Sequence, residues 1–72
     1  EASEKLIKEF YNAKTNEYRI ALSKALSTIY NKDILNELLE IAKNKEYKDV
    51  NFPIIFTLRK YRDIRVKMFF EK

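Results

Sequence analysis

Glycine, cysteine, histidine and tryptophan are all missing from this chain, and proline and methionine occur once each. The first absence bears on fold. An all-β domain of 72 residues needs several tight turns, and tight turns recruit glycine for its freedom at positive φ. Helices joined by short Asn, Lys and Asp connectors need none. The next two absences bear on chemistry. Without cysteine there is neither a disulfide nor a thiolate nucleophile. Without histidine the commonest general base, the commonest metal ligand and the usual pH switch go together. A glycine-rich phosphate loop is excluded as well. No apolar run nears the roughly 18 residues of a membrane-spanning helix. No secretory leader is visible, so an intracellular location is expected.

What is present points to a folded unit. Hydrophobic residues make up 46% of the chain, too many for a disordered segment. The length allows one domain, residues 1–72, with a small core and modest stability. The net charge of +4 is unevenly placed: residues 1–56 hold nine basic and nine acidic side chains. Residues 57–72 hold Arg59, Lys60, Arg62, Arg65, Lys67 and Lys72 against Asp63 and Glu71. Arg19 is the only arginine before position 59.

Apolar residues recur at three- and four-residue spacing along most of the chain, the signature of helices with one buried face. Ser3 is the expected cap of a first helix, with Glu4 in its first turn and Leu6, Ile7, Phe10 and Tyr11 on its apolar face. Glu1–Lys5 and Glu4–Lys8 have the spacing of favourable pairs on the other side. At Lys14-Thr15-Asn16 the pattern breaks, with Thr15 or Asn16 starting a second helix; a helix running straight through is the alternative. Tyr18, Leu22, Ala25, Leu26 and Ile29 form the next stripe. Asn31-Lys32-Asp33 interrupts it, and Asp33 is the expected cap of a third helix. That helix buries Leu35, Leu38, Leu39 and Ala42, with Ile34 and Ile41 on its flank. Residues 44–51 read as a loop.

Pro53 suits the first turn of a last helix, where its missing N–H costs nothing. Ile54, Ile55, Leu58, Tyr61, Met68 and Phe69 fall within about 140° of one face at 100° per residue. The alternation of Ile64, Val66 and Met68 with Arg65 and Lys67 also fits a strand. Helix is preferred, because nothing else in the chain offers a strand to pair with. The expected architecture is all-α, a three- to four-helix antiparallel bundle with helices over 4–43 and 53–68. Leu22, Leu26, Leu38, Leu39 and Leu58 belong in its core.

No constellation for catalysis emerges. Ser3, Ser23 and Ser27 have no histidine to activate them, and the carboxylates stand singly at helix-surface spacing. Asp33 and Glu37 are one turn apart, yet read as a cap and a solvated side chain. No cofactor and no metal are expected, and the chain reads as a binding protein and not an enzyme. The candidate interface is the last helix. Arg59, Lys60 and Lys67 point away from its apolar face, and Arg62 lies at the edge. Arg65 falls within the apolar stripe, where a guanidinium snorkels out to water, pairs with a Glu of another helix or meets an outside partner. Phe56 and Phe70 point away from the stripe, among the basic residues, and predict an exposed apolar patch. With Tyr61 these eight residues suit a protein partner. Basic residues interleaved with aromatics also suit nucleic acid, through residues 59–67, and a basic amphipathic helix also suits an anionic membrane surface.

The run Ile54-Ile55-Phe56-Thr57-Leu58-Arg59-Lys60-Tyr61, followed by Arg65-Val66-Lys67, resembles the C-terminal helix of the helical domain in GINS subunits. Those are structural subunits of the replicative helicase assembly of archaea and eukaryotes. The sequence departs from that pattern at Asp63 and in its Phe69-Phe70 ending. The resemblance implies a non-catalytic scaffold that acts through helix–helix interfaces near DNA. The opening segment Glu4-Lys5-Leu6-Ile7-Lys8-Glu9-Phe10-Tyr11-Asn12 looks like the first helix of bacteriocin immunity proteins. That likeness implies a small stand-alone helical bundle acting at a membrane.

Overall fold

The computed structural model describes residues 2–71. The Glu1–Lys5 pairing and the charge of Lys72 lie outside the described residues. The fold is all-α, with no strand among the described residues. In chain order the helices are α1 (Ala2–Asn12), α2 (Asn16–Ser27), α3 (Leu35–Lys43), α4 (Phe52–Leu58) and α5 (Ile64–Phe70). Short 3-10 turns at Lys32–Ile34 and Lys45–Tyr47 lead into and out of α3.

Each break has a local cause. Thr15 takes an extended backbone, and its hydroxyl accepts from the Tyr18 amide at 3.2 Å, which caps α2. The guanidinium of Arg19 donates to the Ala13 carbonyl at 2.7 Å, so a carbonyl left over at the end of α1 is satisfied. Asn31, and not Asp33, caps the next element: its side-chain oxygen accepts from the Asp33 amide at 2.9 Å. Asn31 has the extended backbone that a capping residue needs, whereas Asp33 is already inside the turn. Ser3 is not an external cap either. It lies buried within the first turn of α1 and accepts a hydrogen bond from the Asn31 side chain at 3.3 Å.

α2 is the centre of the molecule, with α1 and α4 packed against it and α3 packed on α4. Phe10, Leu26, Leu35, Leu38, Ile54 and Leu58 are wholly enclosed. The five leucines expected in the core are all buried. Ile34 and Ile41, expected on the flank of α3, are fully buried too, because α3 has neighbours on more than one side. Residues 44–51 are more than a loop: Tyr47, Val50 and Asn51 turn inward. The Asn51 side-chain Nδ2 donates to the carbonyls of Ile41 at 3.1 Å and Ala42 at 3.3 Å, closing the C-terminal end of α3.

The expected single helix over 53–68 is two helices. Pro53 opens α4 as anticipated. After Leu58 the amides of Lys60 and Tyr61 bond to Thr57 and Leu58, three residues back, and the helix tightens and stops. Asp63 then adopts an extended backbone (φ −139°, ψ 140°), and its carboxylate accepts from the Arg65 amide. A short acidic side chain offers the backbone a local bond that competes with helix continuation. The periodicity of the apolar residues cannot register that competition. Met68, placed on the inward face by the continuous helix, is therefore exposed.

Candidate interaction surface

Tyr61 is held inside, not offered to a partner. Its side chain is 3% exposed. The hydroxyl donates to the Ile29 carbonyl at 3.2 Å and accepts from the Asn31 amide at 3.0 Å. Its ring stacks on Tyr30 at 4.6 Å. Tyr61 thus pins the end of α4 to the α2–α3 connector, and it leaves the set of interface residues.

Arg65 is paired by a neighbour two residues away, not by an acid of another helix, and its side chain stays 39% exposed. Its Nε and Nη2 each reach the Asp63 carboxylate at 2.8 Å, and Nη1 reaches Asn36 Oδ1 of α3 at 2.8 Å. A forked arginine–carboxylate pair is strong and directional. The hydrogen bonds from the Arg65 side chain, and then from its amide, hold the Asp63 carboxyl well below the usual carboxylate range. The same contact raises the Arg65 pKa. Arg65 therefore positions α5, and its charge is already matched.

Arg59, Lys60, Arg62 and Lys67 are exposed. Lys67 Nζ lies 4.0 Å from Glu71 Oε2, a loose surface pair. Arg59 is the organising residue. Its guanidinium lies 4.6 Å from the centre of the Phe70 ring, a cation–π contact that joins the end of α4 to the end of α5. Phe56 is one turn before Arg59 on the same face of α4, and Phe52 is one turn before Phe56. Phe52 is 54% exposed, Phe56 69% and Phe70 37%. Together they form a ridge of three phenylalanine rings with Arg59 set among them. On the other side of α5, Ile64 and Met68 are 65% and 62% exposed and stand one turn apart.

Phe56 and Phe70 were legible as outward aromatics, but Phe52, Ile64 and Met68 were not. Phe52 falls between the loop read over residues 44–51 and the helix read from Pro53. The break at Asp63 re-aims Ile64 and Met68. Between α3 and α5 lies an open groove of about 350 Å³, lined by Leu39, Met68 and Phe69 with Asn36, Glu40, Lys43 and Arg65 at its rim. Its floor is apolar and its rim charged, and it carries no nucleophile–base pair. Among the described residues no cluster of acidic side chains has the arrangement to hold a metal ion. Among the described residues no helix is long and apolar enough to cross a membrane. No family model, curated protein or solved structure matches this chain.

Proposed function

We propose that this chain is a non-catalytic docking module that takes an acidic, apolar-anchored segment of a protein partner on the face formed by α4 and α5. One observation carries the reading. Among the described residues, five of the eight exposed large hydrophobic side chains fall within α4 and α5, and three of them, Phe52, Phe56 and Phe70, lie on the ridge around Arg59, beside the chain's positive excess. Large apolar side chains gathered in one region mark a surface that a partner covers. Arginine and aromatic residues are the side chains that most often carry binding energy at such surfaces. Arg59, Lys60, Arg62 and Lys67 around that region favour a partner of opposite sign, which they steer and orient.

Selection of random short displayed peptides on the immobilised chain tests this reading. Enriched peptides should combine Asp and Glu with Phe, Leu or Trp, and Phe56→Ser should abolish their capture. Enrichment that ignores Phe56, or no enrichment, contradicts it. The stacked Arg59–Phe70 pair beside Phe56 supports a second reading, contact with nucleic acid, which the likeness to GINS subunits would place in a replication scaffold. A titration of single-stranded and duplex DNA at two salt concentrations separates the two readings. Phosphate contact predicts affinity that falls steeply with salt and a slope flattened in an Arg59→Ala, Lys60→Ala, Lys67→Ala variant. The protein-docking reading predicts negligible DNA binding at physiological salt.

A further inference from the structure

We infer that α5 is a clasp that opens as an independent unit, and that its seating completes the docking face. The inference rests on the docking reading for the importance of that face, but not for the motion. Four observations carry it.

The cap of α5 is self-contained: the Asp63 carboxylate bonds to the amide and to the Nε and Nη2 of Arg65. These bonds travel with α5 and do not tie it to the body. The last firm anchor before α5 is Tyr61, bonded to Ile29 and Asn31, which leaves Arg62 and Asp63 as the link. The seat itself is slight. Only Val66 of α5 is buried, Phe69 is partly buried, and one side-chain bond, Arg65 Nη1 to Asn36 Oδ1, crosses to α3. Lastly, the α3–α5 seam is not closely filled: it holds the open groove lined by Leu39, Met68 and Phe69. The body, by contrast, shares wholly enclosed side chains from all four other helices.

Elements with few buried apolar contacts open at the low end of a protein's free-energy range. When α5 lifts, Phe70 leaves the Arg59 guanidinium, and the ridge keeps only Phe52 and Phe56. A partner that touches all three rings therefore binds the seated form, and its apparent affinity scales with the seated fraction.

Native-state hydrogen exchange on the full chain tests the clasp without any partner. Amides of Val66–Phe70 should exchange at least about tenfold faster than those of Leu38–Ile41 and Ile55–Leu58. Asn36→Ala and Val66→Ala should speed exchange in α5 alone. In the same variants the ring-current shift that Phe70 imposes on the Arg59 side-chain protons should shrink. Equal protection of α5 and body would overturn the inference, as would variants that speed every helix together. An unchanged Arg59 shift alongside faster α5 exchange would sever the clasp from the docking face. None of these outcomes touches the peptide selection, which judges the docking reading separately.

Discussion

At position 63 one carboxylate accepts from an amide and from two guanidinium nitrogens of the same arginine. The direction of its pKa sets the pH response. A carboxyl held below its ordinary range contributes stability that is fully present above that range and declines as pH falls through it. Order in α5 should therefore be flat from neutral pH to about pH 4 and decline in stronger acid. Asp63→Asn should remove much of that decline, as followed through the amide resonances of residues 64–70. Tyr61 has a different part, since its hydroxyl is bonded on both sides in a closed site. Tyr61→Phe should lower stability by about 0.5–1.5 kcal/mol in a urea titration, because the Asn31 amide loses its acceptor. Residue identity told much of this in advance, but not which partner each residue would find. Arg65 was legible as a charge needing compensation. That Asp63 supplies it was not, because the pair forms only if the helix breaks between Tyr61 and Ile64.

The helices themselves differ in how plainly the sequence announces them. α3 is written in its spacing, and Leu35, Leu38 and Leu39 are buried as that spacing requires. Leu38→Ala should cost roughly 2–5 kcal/mol in chemical denaturation, as a methyl-rich side chain leaves a closed core. The break before α2 was legible as well, because Thr15 and Asn16 are capping residues between two apolar stripes. The last thirty residues were less transparent. Asn51 and Tyr47 pack inward from a stretch that composition marks as polar. α4 and α5 share an apolar phase that fits one continuous helix. Periodicity records which side chains are apolar at a given spacing, and it does not weigh a local cap against the next helical hydrogen bond. Because the proposed docking face spans that break, Phe56, Phe70 and Arg59 could be named from sequence, while the ridge they form with Phe52 could not.

At the scale of the whole molecule, the Cα atoms span 32 × 26 × 15 Å, a thin body whose fully enclosed helical side chains belong to α1 to α4 and whose charge excess falls in residues 57–72. On the proposed reading, binding falls to exposed side chains of α4 and α5 that the core does not use, so substitutions on the ridge should leave the fold intact. Phe52→Ser with Phe56→Ser should change unfolding free energy by no more than about 0.5 kcal/mol per site, the usual range for exposed positions, while removing the apolar part of the docking face. Thermal unfolding read beside peptide capture would show that separation. The most direct test is photo-crosslinking in the cells of origin, with a benzophenone amino acid placed at position 56 and, as a control, at the exposed Glu17 on α2. Position 56 should give a discrete adduct whose crosslinked peptide is acidic and carries a large apolar residue, and position 17 should not. Adducts of equal yield at both positions, or none at position 56, would show that the α4–α5 face is not where a partner binds.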